Sequence, residues 1–191
     1  GADAVEFDVV FTKDGHAIIR HDLDLSSTTD INDHSFLSTK IDQLTKADVS
    51  RLRAKERYPD GRVDSASQDG KYFVPTLRQL LANQQFNGKH LIIEIKHGAH
   101  FEAIGIDPIQ EVRALLEQSD WSNRGMKISL ESFEFEFLLR AKLEIGSDIN
   151  YVFLSARDTL PKGVTELTDE LLAEIADNFD AVSVAMSMVL T

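Results

Sequence analysis

The sequence predicts an α/β fold, a TIM-type (β/α)8 barrel of which about five of the eight strands are present. Strand-like runs near 3–11, 90–96, 127–131, 150–154 and 181–185 alternate with helical patterns, the order that βαβ units produce. Five strands in 191 residues fit five eighths of a barrel of ~250 residues. The alternative is an open doubly wound sheet. No Gly-rich dinucleotide fingerprint stands at the first strand–helix junction, which counts against it.

The first run is rich in β-branched and aromatic residues and carries Glu6 and Asp8 two positions apart, so in a strand both point to one face. Asp14-Gly15 is a hairpin signal, because the favoured two-residue turns need φ > 0 at their centre. With Lys13 opposite His16, that turn places Asp8 opposite His21, and two carboxylates and an imidazole converge on one patch suited to a hard cation with an acid/base group beside it. Residues 22–72 read as a long polar insertion. Within it Thr45 is expected to cap a helix through Leu52, with Asp48 in its first turn. Thr76 and Gln79 form a capping-box pattern ahead of Leu80 and Leu81. Asp107-Pro108 starts a helix over 108–118, since Pro is tolerated at the first helical position. A helix over 134–145 ends at Gly146, and Thr168 opens one reaching about Asn178. In the run 91–96, Ile92, Glu94 and Lys96 face one way and Leu91, Ile93 and Ile95 the other. A central parallel strand is normally apolar on both faces, so Glu94 and Lys96 need partners: each other, or a site at the strands' C-terminal mouth.

Composition narrows the function classes. The 191 residues fit one domain, 1–191, with material for a sizeable core. With 32 acidic against 20 basic residues, the net charge of −12 repels nucleic acids and anionic membranes, and a phosphate substrate needs a local cation or basic group. No run is long and apolar enough for a transmembrane segment, and without cysteine there is no disulfide or thiol chemistry.

Four ordered blocks carry a more specific signal. Gly1-Ala2-Asp3-x-x-Glu6-x-Asp8, continuing through Thr12-Lys13-Asp14-Gly15 to His21-Asp22, resembles the glycerophosphodiester phosphodiesterase family. Val74-Pro75-Thr76-Leu77, Leu91-Ile92-Ile93-Glu94-Ile95-Lys96 and Ile128-Ser129-Leu130-Glu131-Ser132-Phe133 match that family's later blocks. The likeness covers residues 1 to about 145. It implies a phosphodiesterase-type barrel, with Glu6, Asp8 and Glu94 as ligands of Ca²⁺ or Mg²⁺, and His21 as one of two acid/base histidines. It further implies Lys96 as a phosphate contact and Phe133 at the substrate. A carboxylate set without sulfur favours such a hard ion over zinc. The family's His-Arg-Gly strand end and Pro-Glu-Asn segment would precede Gly1, and its Trp-Thr-x-Asn element has no counterpart around Trp121. The expectation is a barrel cut at both ends, inactive by itself.

The implied activity is metal-dependent hydrolysis of small-molecule glycerophosphodiesters, the deacylated phospholipids, to an alcohol and glycerol 3-phosphate. A phosphatidylinositol-type phospholipase C barrel and a degenerate, non-catalytic barrel that binds a cation or phosphodiester are the rivals. His97, His100 and Phe101 resemble a loop of one branch of the family, which leaves two readings, a place at the substrate mouth or the plain solvation more common for loop histidines. The long insertion after His21 resembles that of extracytoplasmic members, which implies a secreted or periplasmic origin. Phe133, Phe135 and Phe137 alternate with Glu134 and Glu136 at a helix start, a pattern that core packing explains.

Overall fold

The computed structural model describes residues 2–160 and 166–189. Ala4–Phe11 forms β1 and Ala17–Ile19 a short β2. The longer strands are β3 (His90–Ile95), β4 (Lys127–Ser132), β5 (Asn150–Ser155) and β6 (Ala181–Val184). They hydrogen-bond in the order β2-β1-β3-β4-β5-β6. β2 runs antiparallel to β1, and every other neighbouring pair is parallel. Among the described residues the sheet does not close, which is the incomplete TIM-like barrel that five parallel strands predict.

The predicted hairpin register is wrong by one residue. Val9 pairs with Ile19, Val10 with Ile18 and Phe11 with Ala17, so Asp8 stands opposite Arg20 instead of His21. The turn has three residues. The Thr12 hydroxyl donates to Asp14 Oδ1 at 2.7 Å, and the same oxygen accepts the Lys46 N–H at 2.9 Å. Gly15 then takes φ 80°, and Thr12 N–H closes on the His16 carbonyl at 3.0 Å. This is the bulged hairpin in which a turn is followed by a left-handed residue. A slip of one would turn His21 to the far face had the strand continued. β2 ends at Ile19, so that rule no longer binds His21, and the chain carries it into the cleft described below.

The helices are α1 (Lys46–Val49), α2 (Val63–Ala66), α3 (Leu77–Ala82), α4 (Gly98–Ala103), α5 (Pro108–Gln118), α6 (Phe135–Ile145), α7 (Asp169–Asn178) and α8 (Met186–Val189). Their local signals act as the sequence indicates. Thr76 Oγ1 accepts the Gln79 N–H at 3.2 Å while Gln79 Oε1 accepts the Thr76 N–H at 2.9 Å. Asp107 caps α5 ahead of Pro108, and Gly146 ends α6 with φ 102°. α1 has the expected Thr45 cap, completed by Asp48 as a capping box, but stops at Val49, short of Leu52. Leu52 is drawn fully into the core, and Arg53 bridges to Phe73, so the chain turns away. Because Thr76 starts the helix that buries Leu77 and Leu81, Thr76→Ala should cost about 1 kcal/mol, a fall of roughly 2–4 °C in thermal midpoint.

One face of the sheet meets the helices. Phe7, Val9, Leu91, Ile93, Ile95, Ile128, Leu130, Tyr151 and Phe153 alternate along the strands and are all buried. Phe11 packs edge-on against Phe101, and Phe135 against both Phe153 and Phe179, with centroids 5.0–5.5 Å apart. The insertion is less polar in effect than its composition suggests. Leu25, Ile31, Ile41, Leu44, Val49 and Leu52 anchor its first half in the core, whereas residues 53–73 bury no apolar residue.

Candidate active site

The other face of the sheet carries the charges. Asp8 lies level with Glu94 across β1 and β3, and Glu94 level with Glu131 across β3 and β4. Adjacent strands are about 4.8 Å apart, so parallel register alone draws three carboxylates into one row. Glu6 sits one pleat behind on the same face, and carboxylate oxygens of Glu6, Glu94 and Glu131 all lie within 4.8 Å of one another. The Lys96 ammonium donates to Glu94 Oε1 at 2.8 Å and stands 3.6 Å from Asp8 Oδ1. It also lies 5.8 Å from the centroid of the Phe133 ring. The ion pair and the mouth location, alternatives in the sequence, thus coexist.

Glu94, in the middle of the row, faces a cleft of about 820 Å³ at the C-terminal ends of the strands. His21, Glu94, Lys96, His97, Ser132 and Phe133 are among its walls. Of the six residues expected from the sequence to form the site, His21, Glu94, Lys96 and Phe133 line this cleft, while Glu6 and Asp8 lie beside Glu94 on the same face of the sheet. Among the described residues the tight carboxylate group is Glu6, Glu94 and Glu131, not the expected Glu6, Asp8 and Glu94. Glu131 joins them although the sequence assigns it no role. Its only local signal is parity: Glu131 shares a strand face with Ser129, opposite the face of Ile128 and Leu130.

Crowding sets the electrostatics. Burial raises the Glu131 carboxyl to about 7, reinforced by the charges of Glu6, Glu94 and Asp8 and only partly offset by Lys96. Glu131 is 9% exposed, and among the described residues no hydrogen bond reaches its carboxylate. Burial also raises Glu94, against the pull of Lys96, and raises Glu6 with help from Asp8. Crowding of like charges is relieved by protonation or by a bound cation, and an all-carboxylate set is one that hard divalent ions can use.

His21 Nδ1 is 2.6 Å from Asp22 Oδ1, and Asp22 Oδ2 accepts from the Arg57 guanidinium. Burial alone would raise the Asp22 carboxyl, but the His21 hydrogen bond and the Arg57 charge hold it below the ordinary range. His97 adopts a left-handed backbone, φ 56°, and lies in the cleft wall, where burial and Lys96 lower its imidazole. The other two members of that loop do not line the cleft. His100 turns to the insertion and meets Asp42 at 2.9 Å, and Phe101 is a core residue, drawn in by Phe11. Phe135 and Phe137 pack in the interior, as their alternation indicates.

A protein-family model described as the glycerophosphoryl diester phosphodiesterase family matches residues 1–184. Glycerophosphodiester phosphodiesterase GDPD6 of Arabidopsis thaliana is 32% identical over 93 residues, 49% of this chain and 23% of that protein. Among solved structures, a glycerophosphoryl diester phosphodiesterase from Silicibacter pomeroyi superposes with a TM-score of 0.75 at 23% identity, over 96% of this chain and 65% of that one. A phosphodiesterase from Oleispira antarctica, solved with the product sn-glycerol-3-phosphate, gives 0.71 at 20% identity, over 98% of this chain and 65% of that one. The chain thus spans somewhat under two thirds of these structures and about a quarter of the curated relative, and the solved structures speak for the fold.

Proposed function

The chain belongs to the glycerophosphoryl diester phosphodiesterase family, and on that premise we propose that it carries the active site of an enzyme hydrolysing glycerophosphodiesters to an alcohol and glycerol 3-phosphate, with Ca²⁺ or Mg²⁺ as cofactor. The observation that most supports this reading is the row Asp8–Glu94–Glu131, with Glu6 behind it, whose central Glu94 lines a cleft that also holds His21 and Lys96. The product bound by the Oleispira antarctica relative supports a small phosphodiester as substrate.

The donor set fits a hard divalent ion. Glu131 is buried, no hydrogen bond among the described residues reaches its carboxylate, and one of its oxygens lies within 4.8 Å of oxygens of Glu6 and Glu94, an arrangement that a cation would neutralise. Glu6, Asp8 and Glu94 would hold the ion, which when bound polarises the phosphoryl oxygens and favours the ionised form of a hydroxyl nucleophile. The chain's own residues do the rest. Lys96, fixed by Glu94 and Asp8, places a positive charge where the phosphate gains charge in the transition state. His21 transfers a proton to the leaving alkoxide or takes one from the nucleophile. Phe133, beside Lys96, gives the alcohol an apolar wall.

The test is glycerol 3-phosphate release from glycerophosphocholine, measured for this chain and for the longest natural form that carries it, with Ca²⁺, with Mg²⁺ and with chelator. Turnover that needs the ion, in either form, is the expected result. Ion binding without turnover in both would favour the non-catalytic barrel, and cleavage of phosphatidylinositol alone the phospholipase C barrel. In the active form Lys96→Ala should lower kcat by ~10²–10³, the size of a lost transition-state donor. A change below tenfold would remove Lys96 from the mechanism.

A further inference from the structure

We propose that Arg57, carried by the insertion, is the positioning residue for His21. It acts by clamping one oxygen of Asp22 so that the other oxygen fixes the imidazole tautomer. The inference rests on the acid/base role proposed for His21.

The chemistry follows from the contacts. An ionised carboxylate only accepts hydrogen bonds, so the Asp22 Oδ1 contact of 2.6 Å requires the proton on His21 Nδ1. In the neutral ring, Nε2 is then the bare nitrogen, the one able to exchange a proton with substrate. Asp22 needs an anchor to impose this. Its side chain is 31% exposed, and it lies past the end of β2, where no ladder orders it. The Arg57 guanidinium on Oδ2 supplies that anchor from 35 residues away in sequence. Opposite-charge pairing and a second fixed oxygen leave the carboxylate little freedom to rotate.

The segment around Arg57 is itself tied down. Lys55 N–H donates to the Thr28 carbonyl at 2.9 Å, Glu56 N–H to Asp69 Oδ1 at 2.7 Å, and Tyr58 N–H to Glu56 Oε1 at 3.0 Å. Residues 53–73 bury no apolar residue, so hydrophobic burial does not account for this ordering. What the backbone ties secure is the reach of Arg57 to Asp22. The placement of the insertion is thereby passed to His21 through Arg57 and Asp22.

The experiment reads the His21 ring directly. In ¹⁵N side-chain NMR spectra of this chain, the parent protein should show His21 mainly as the Nδ1–H tautomer. Arg57→Ala should shift it towards a mixture of tautomers, Asp22→Asn should do so at least as strongly, and Arg57→Lys should restore part of the parental pattern. Circular dichroism confirms that each variant is folded, and Arg57→Gln replaces Arg57→Ala should that variant unfold. In the longest natural form, Arg57→Ala should lower kcat for glycerophosphocholine by about 10–100-fold with KM nearly unchanged. The double variant with Asp22→Asn should be no worse than the worse single one. A parental tautomer in folded Arg57→Ala overturns the proposal, as does a shifted tautomer with unchanged kcat. Absence of turnover in the unmutated enzyme would instead defeat the hydrolase reading, and the tautomer measurement would still decide the clamp.

Discussion

Raising the pH from 5 to 8 in the presence of chelator should destabilise the protein by at most about 3 kcal/mol, or about 5–10 °C in thermal midpoint. The cause is Glu131, raised from an ordinary 4.5 to about 7 by burial and by its acidic neighbours. Between those two values the folded protein keeps a proton that the unfolded chain has released. Stability is therefore whole below about 4.5, falls as pH rises through the window, and reaches its floor above about 7. Glu6 and Glu94 are raised as well and slope the same way. Glu131→Gln keeps the shape and removes the charge, so it should flatten most of the profile and leave the protein more stable than the parent at pH 8. Ca²⁺ or Mg²⁺ at a hundredfold excess over its dissociation constant should return about 2.7 kcal/mol at pH 8 through binding to the folded state alone. Thermal melts at several pH values, with chelator and with each ion, measure all of this. A profile with the same slope in the parent and in Glu131→Gln would mean that Glu131 ionises without penalty.

What the sequence disclosed depended on distance along the chain. The caps at Thr45, Thr76, Asp107 and Thr168 are legible because donor and acceptor lie within three residues. The pairing of Glu6 with Asp8, and of Glu94 with Lys96, is legible because strand alternation is local. That Glu131 is level with Glu94 is not, because the register between β3 and β4, joined by α4 and α5, depends on how those helices pack. The hairpin shows the limit at its sharpest. Asp14-Gly15 announces a turn, but an oxygen of Asp14 shared by Thr12 and by the N–H of Lys46, 32 residues on, selects three residues over two. The Arg57–Asp22 contact crosses 35 residues of irregular chain and leaves no periodic trace.

Gly98→Ala should cost 1–3 kcal/mol or more, although the position is neither in a turn nor at positive φ. A Cβ there would lie 2.5 Å from Cδ2 and Cε2 of Phe137. Phe137 is 2% exposed on α6, so its ring cannot swing into solvent, and either α4 or the ring must move. α4 is the costly one to displace. It follows directly from Lys96 and His97 in the cleft, and its Ala99 N–H donates to Glu134 Oε2 at 2.7 Å, which ties it to the start of α6. Pushing α4 outward would draw Lys96 away from Glu94 and Asp8, so the variant should lose affinity for the divalent ion as well as stability. Phe137→Leu separates the two effects. Alone it should cost stability by leaving a cavity, whereas combined with Gly98→Ala it should cost less than the sum of the two, because the smaller side chain makes room for the methyl group. Chemical denaturation gives the stabilities and calorimetric titration with Ca²⁺ the affinity. Full additivity, or a Gly98→Ala protein as stable as its parent, would show that the α4–α6 contact is slack and that the glycine is not what brings Lys96 to the carboxylates.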